Sequence, residues 1–271
     1  MQFTGDELLI ARGGNGRISF YSTTSLGEAP ALGMAVPSFA AFSVSPGPAP
    51  YKVALVQKGA KGKPGSIALY RYPRLDREGI VAARSILSAD SAEFEWASDG
   101  TAVLATVFSD ASDATYYGET TLALLTADGR TSAELSSGAM VHAVKWCPDS
   151  KKFVAITGNS PPKITMYNKT GKAVFSFGAL YRNTVRWSPQ GRFLMLGGFG
   201  GMAGEVDFWD VKTERRLGTA KMNMVTDCKC WCVTVLLQHL CSGMMTLSFP
   251  LLIDYETTPG SITKPEVQCL V

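Results

Sequence analysis

A short polar turn following an apolar or Trp residue recurs along this chain, as Phe3-Thr-Gly-Asp6, Val44-Ser-Pro-Gly47, Trp96-Ala-Ser-Asp-Gly100, Trp146-Cys-Pro-Asp149 and Trp187-Ser-Pro-Gln-Gly191. Successive copies are 41, 52, 50 and 41 residues apart. One such unit cannot bury its own apolar face, so units of this kind stack on one another, and a period of about 40 to 50 residues is that of a propeller blade. The repeat therefore narrows the fold before any other property is consulted.

Each turn leads into a short apolar run, at residues 7–12, 52–56, 102–108, 152–157 and 192–197. An alternating run follows, as in Arg17-Ile-Ser-Phe-Tyr21, Ser66-Ile-Ala-Leu-Tyr70, Thr121-Leu-Ala-Leu-Leu125, Lys163-Ile-Thr-Met-Tyr167 and Glu205-Val-Asp-Phe-Trp-Asp210. Period-two segments bounded by Gly, Pro, Asp and Asn read as strands, and amphipathic helix patterns are scarce. The expected class is all-β, a partial WD-repeat-like β-propeller of about five four-stranded blades over residues 1–228. Trp209-Asp210 matches the Trp-Asp dipeptide of such blades. Trp96, Trp146 and Trp187 invite base stacking, but a large side chain at one fixed place per unit more simply packs between neighbouring sheets. With Trp209 and Asp210 they are expected to be structural blade residues.

A hydrophobic content of 46% and a charged content of 18% exclude a disordered chain. The charge lies in blocks: 8 basic against 2 acidic residues over 51–87, 1 against 9 over 88–135, and 9 against 1 over 136–192. Blocks of the size of one unit imply separate basic and acidic faces, which serve either as phosphate-binding surface or as ordinary solvated surface. Lys52, Lys58, Lys61 and Lys63 flank a Gly- and Pro-rich hairpin loop. Arg182 and Asn183 precede Trp187, and a guanidinium there is suited to a bidentate phosphate bond. These six residues are the candidate RNA- or ribosome-contacting set.

Catalytic patterns are missing. The chain has no Gly-x-Ser-x-Gly elbow and no phosphate-cradling Gly-x-x-x-x-Gly-Lys-Ser/Thr string, and Gly198-Phe-Gly200-Gly-Met-Ala203 runs into a strand pattern instead of the helix that a dinucleotide fingerprint must open. His142 and His239 have no carboxylate at a general-base spacing. No enzyme activity, cofactor or metal site is expected. Asn168-Lys-Thr170 matches a glycosylation sequon, but the N-terminus carries no secretory signal pattern and a cytoplasmic protein is expected.

Several strings have no generic propeller explanation: Ser45-Pro-Gly-Pro-Ala-Pro-Tyr-Lys-Val-Ala54, Gly62-Lys-Pro64, Leu69-Tyr-Arg-Tyr-Pro73, Tyr116-Tyr-Gly-Glu-Thr120, Phe175-Ser-Phe-Gly178, Arg182-Asn183 and Gly197-Gly-Phe-Gly200. In these, from about Phe3 to Cys228, the chain resembles the eukaryotic translation initiation factor 2A family. The resemblance implies a non-enzymatic, cytoplasmic factor that brings initiator methionyl-tRNA to the small ribosomal subunit, at alternative start codons or under stress. It implies messenger RNA and other initiation factors as further partners, and neither DNA nor a membrane. It also implies a nine-bladed propeller followed by a basic extension, so the first blades and that extension are expected to be missing here and the function of this form impaired. The competing reading is a propeller scaffold that binds only proteins.

Residues 229–271 depart from this pattern. Five of the six cysteines, Cys228, Cys230, Cys232, Cys241 and Cys269, fall in the last 44 residues without a zinc-knuckle spacing. An uncharged run covers residues 230–253, a length able to cross a bilayer, but Gln238, His239, Ser242, Gly243 and Pro250 interrupt it. The expectation is a poorly ordered tail outside the family pattern, the product of altered splicing or a frame change.

Overall fold

β-Branched and aromatic residues fill the alternating segments, and such residues fit a pleated surface that is packed on both sides. The computed structural model describes residues 1–25, 29–59, 64–87, 89–109, 118–202 and 204–221, in which these segments build five four-stranded sheets, all pairings antiparallel. The first comprises β1 (Gln2–Phe3), β2 (Leu9–Gly14), β3 (Arg17–Ser22) and β4 (Leu32–Ala35). The second has β5 (Phe39–Val44), β6 (Lys52–Gln57), β7 (Gly65–Arg71) and β8 (Ile80–Ile86), and the third β9 (Ser91–Trp96), β10 (Ala102–Ser109), β11 (Glu119–Thr126) and β12 (Ser132–Ser137). The fourth has β13 (Val141–Trp146), β14 (Lys152–Thr157), β15 (Lys163–Asn168) and β16 (Ala173–Ala179), and the fifth β17 (Thr184–Trp187), β18 (Phe193–Gly197), β19 (Glu205–Asp210) and β20 (Arg215–Lys221). Strands pair in chain order within every sheet. The partial β-propeller read from the repeat is the observed architecture.

The repeated residue has one structural meaning. Phe3, Val44, Trp96, Trp146 and Trp187 each end the first strand of their blade, and the polar turn carries the chain into the second. First strands neighbour one another in series, β1 with β5, β5 with β9, β9 with β13 and β13 with β17, and so line the inner side of the array.

Apolar side chains fill the spaces between blades. Ile18 and Phe20 meet Val53, Leu55 and Tyr70 between the first two blades, and Val56, Ile67 and Leu69 meet Val103, Ala105 and Leu125 between the second and third. Leu104, Leu122 and Leu124 meet Trp146 and Phe153 in the next layer, and Val154, Ile156 and Ile164 meet Val185, Leu194 and Leu196 in the last. Residues 102–107 are buried without a break because both faces of the sheet are covered. Each such side chain contributes roughly 1.5–3 kcal/mol of burial free energy. The expectations for residues 229–271 lie outside the described residues.

Candidate nucleic-acid interface

The turns joining first to second strands lie side by side at one end of the array and lock together. A Cβ at Gly5 would come within 2.5 Å of the Gly47 backbone nitrogen. Asp99 N donates to Ser150 Oγ at 3.1 Å, and Cys147 Sγ donates to Gly191 O at 3.6 Å. Backbone approaches this close leave the turns little room to shift.

At this end the fourth blade presents four lysines. Asp149 Oδ1 accepts from Lys151 N at 3.0 Å, which shapes the turn before β14. Asn168 Oδ1 accepts from Thr170 N and Lys172 N at 3.0 and 2.9 Å and from the Thr170 hydroxyl at 2.8 Å, which shapes the turn after β15. Side-chain caps of this kind hold a tight turn in one conformation. Lys169 N donates to Lys151 O at 3.0 Å and joins the two turns. Lys151, Lys152, Lys169 and Lys172 are therefore neighbours. Lys151 and Lys172 are exposed, Lys152 and Lys169 half-buried. Lys169 Nζ sits 3.3 Å from Asp99 Oδ2, whereas among the described residues Lys151, Lys152 and Lys172 form no ion pair. The two joined turns thus carry a local concentration of positive charge, of the kind that suits phosphate oxygens.

Lys52 belongs to the same end. It opens β6 as Lys152 opens β14, and stands opposite Arg71, which bridges to Arg74. Lys58 lies just beyond the far end of β6, about 20 Å away at strand rise, and faces Asp90 at 3.9 Å. The structure thus separates Lys52 from Lys58, and Lys61 and Lys63 lie outside the described residues.

Arg182 and Asn183 correct the expectation made for them. Arg182 is 5% exposed; its Nε donates to Asp207 Oδ2 at 2.9 Å, Nη2 to Glu205 Oε2 at 3.1 Å and Nη1 to Tyr181 O at 2.9 Å. Asp207 is fully buried and also takes the Thr219 hydroxyl at 2.6 Å, with Arg216 at 3.6 Å. The guanidinium fork serves a carboxylate within its own blade and does not face solvent phosphate. Asn183 donates to Phe199 O at 3.0 Å and accepts from Phe199 N at 3.1 Å, so its amide closes the loop after β18.

Trp96, Trp146, Trp187 and Trp209 pack within the array. Trp146 and Trp187 are buried, Trp96 half-buried, and the Trp209 ring meets the Phe175 and Phe177 rings near-perpendicular at 6.0 and 5.0 Å. Asp210 caps the next turn by accepting from Lys212 N at 2.9 Å and pairs with Arg192 at 3.1 Å. Burial works to raise the Asp210 pKa, but the Arg192 bond and the backbone donors outweigh it and hold the carboxyl below its ordinary value. Burial pushes the Cys147 thiol up to about 12, which leaves no thiolate for nucleophilic work near neutral pH.

On the inner side, first strands of the third, fourth and fifth blades line a groove of about 460 Å³ that carries Glu93, Glu95, His142, Lys145 and Arg186. Lys145 Nζ pairs with Glu95 Oε2 at 2.7 Å and His142 Nε2 bonds Gly158 O at 2.8 Å. Its charges are mixed in sign, unlike the lysine group. Among the described residues, no cluster of His, Cys, Asp and Glu is arranged to hold a metal, and no helix is long and apolar enough to cross a membrane.

Residues 84–235 match the family model described as Eukaryotic translation initiation factor eIF2A. The chain belongs to that family. Eukaryotic translation initiation factor 2A of Drosophila melanogaster is 34% identical over 229 residues, covering 81% of this chain and 35% of the relative, and that of Dictyostelium discoideum is 33% identical over 221 residues, covering 80% and 36%. The chain thus spans about a third of the length of these relatives. A crystal structure of a eukaryotic initiation factor superposes with a TM-score of 0.70 at 26% identity, covering 82% of this chain and 53% of the other. The lysine turns of the fourth blade fall inside the segment that matches the initiation factor 2A family.

Proposed function

We propose that this chain supplies an RNA-facing part of a non-enzymatic, cytoplasmic translation initiation factor that engages the small ribosomal subunit and initiator methionyl-tRNA, alongside messenger RNA and other initiation factors. Family membership supports the role in initiation. The observation that carries the RNA-facing part is the junction of two capped turns that puts Lys151, Lys152, Lys169 and Lys172 side by side. Contacts of this type go to the phosphate backbone, so they give affinity and orientation without reading sequence.

The test is binding of initiator tRNA and of isolated small subunits as a function of salt. Reversal of Lys151, Lys169 and Lys172 to Glu lowers affinity and makes the dependence of log K on log salt shallower, by about 0.7 for each single-stranded phosphate no longer neutralised. Reversal of Lys58, at the other end of β6, leaves both quantities unchanged. Unchanged affinity and slope in the triple variant would overturn the assignment, and absence of RNA affinity in the parent chain would favour a scaffold that binds proteins only.

A further inference from the structure

Each blade sets the first residue of its second strand opposite the last residue of its third, at the end where the lysine group lies. In four blades the pairs are Leu9 with Ser22, Ala102 with Thr126, Lys152 with Asn168 and Phe193 with Asp210, so each places at most one cation there. The second blade places two, Lys52 and Arg71. Residues directly opposite in an antiparallel pair share a face, with Cβ atoms about 5 Å apart, and like charges at such a pair are destabilising. Arg71 is exposed and Lys52 half-buried, and among the described residues neither side chain forms an ion pair.

The loop after Arg71 is fixed and adds a third cation. Arg71 and Arg74 pair as an isolated antiparallel bridge, Tyr72 N donates to Tyr51 O at 3.0 Å, and the Tyr72 ring lies 5.0 Å from that of Phe20. Asp76 Oδ1 accepts from Gly79 N at 2.9 Å, and a Cβ on Gly79 would collide with the Arg74 carbonyl. Arg74 is thereby held beside the opposed pair. Its contact with Glu78, at 4.0 Å between side chains 70% and 82% exposed, neutralises little. A fold that keeps three cations together at a cost, with no anion of its own among them, offers a place for one from outside.

The third blade separates this group from the lysines of the fourth. A Cβ on Gly100 would lie 2.9 Å from Pro46 O, and Asp99 N donates to Ser150 Oγ at 3.1 Å, so the first turn of the third blade stands between those of its neighbours. That turn brings Asp99 and the turn after β11 brings Asp128, each capping its own turn by accepting from the backbone of Thr101 and Arg130. The end is thus basic, acidic and basic again from the second blade to the fourth. Packed sheets stand about 10 Å apart, which sets the two basic groups about 20 Å from each other. A stacked strand rises about 3.4 Å per nucleotide, so about six nucleotides span the gap.

We propose that Lys52, Arg71 and Arg74 form a second phosphate-binding point, and that one RNA strand is held by the second and fourth blades at once and passes over the acidic third. This rests on the RNA-facing reading of the fourth blade. The occupant is an RNA backbone rather than an acidic protein segment, because a strand with one charge per nucleotide meets both groups in any register. Two points on one strand also act together, the first raising the effective concentration at the second.

Titration of the full chain with oligoadenylates of about 4 and about 12 nucleotides, over a range of salt, tests this. The shorter strand cannot bridge and should bind twice per chain, whereas the longer should bind once. Lys52→Gln, Arg71→Gln and Arg74→Gln together should lower the affinity of the longer strand at least about tenfold, make log K against log salt shallower by about 0.7 per phosphate released, and halve the stoichiometry of the shorter. The thermal midpoint of this variant should be no lower than that of the parent, since opposed cations are removed, and this tells a lost contact from a lost fold. Unchanged affinity and slope for the longer strand, while Lys151→Glu, Lys169→Glu and Lys172→Glu still weaken binding, overturn the second point and leave the fourth-blade reading intact. A longer strand that binds twice per chain overturns the bridge. Weakening by the second-blade variant alone would remove the fourth-blade lysines from the RNA surface, and the bridge with them.

Discussion

The indole Nε1–H of Trp146 donates to the main-chain carbonyl of Glu95 at 3.0 Å, across the boundary between the fourth and third blades. It thereby fixes the height of β13 against β9, something that apolar packing, which has no direction, leaves loose. Trp187 repeats the bond one blade further on, to Lys145 O. Packing supplies most of the free energy between blades, and these bonds set the register.

Trp146→Phe separates the two contributions. The ring stays against Phe153, whose centroid lies 4.8 Å away, but the donor is lost. A cost of about 1 kcal/mol is expected, against about 3–5 kcal/mol for Trp146→Ala, which also removes the ring. Denaturant unfolding of the two variants measures this, and equal costs would show that the hydrogen bond contributes nothing separable.

Gly191→Ala tests the interlocked turns. Gly191 has φ +70° and an added Cβ would lie 2.4 Å from Cys147 Sγ, whereas Gly138 at φ +74° has open space around the same position. Both substitutions carry the backbone cost of about 1 kcal/mol. Only Gly191→Ala adds overpacking, about 1–3 kcal/mol more. Thermal midpoints should therefore fall further for Gly191→Ala, and equal shifts would mean that the turns are loosely packed.

The architecture was readable because its signal is local: a turn needs Gly, Pro, Asp or Asn at fixed places, and Trp96, Trp146 and Trp187 mark the same place each time. The lysine group was not, although the basic block over residues 136–192 contained it. Lys151 and Lys169 become neighbours only once β14 pairs with β15 in the register Lys152 to Asn168. Lys52 and Lys58 show the reverse case, close in sequence and set apart by the strand between them. For Arg182 the sequence displays a cation but not the buried carboxylate of Asp207, 25 residues on, that takes it up.

Acid should weaken the array through its turn carboxylates. The Tyr51 hydroxyl is the main influence holding Asp6 below its ordinary value of 3.8, and the Thr126 hydroxyl does the same for Asp128. Burial pulls Asp99 upward, but Thr101 and Lys169 together outweigh it and its pKa is also lowered. A carboxyl that is more acidic in the folded state binds fewer protons there than when unfolded, so stability rises with pH across its titration. The contribution is complete above the unfolded value and is lost as pH falls through the folded one. Thermal midpoints should be flat from about pH 7 to 5 and fall below about pH 4. Asp128→Asn should flatten that acid limb, and an unchanged limb would show that the Thr126 bond does not favour the charged form.

Arg182→Ala should act on stability before it acts on any ligand. The variant leaves Asp207, whose side chain is 1% exposed, with only Arg216 at 3.6 Å and the Thr219 hydroxyl. Removing one partner of a buried pair leaves an uncompensated charge and costs about 3–5 kcal/mol. Arg182→Lys keeps the charge but not the fork that reaches Asp207, Glu205 and Tyr181 O at once, and should be intermediate. Under conditions where Arg182→Lys remains folded, its affinity for tRNA and its salt slope should equal those of the parent chain, because the guanidinium already spends its donors inside the blade. A shallower slope in folded Arg182→Lys would return this residue to the RNA-contacting set, whereas a stability loss with the slope intact separates the arginine that holds the fifth blade together from the lysines that face outward on the fourth.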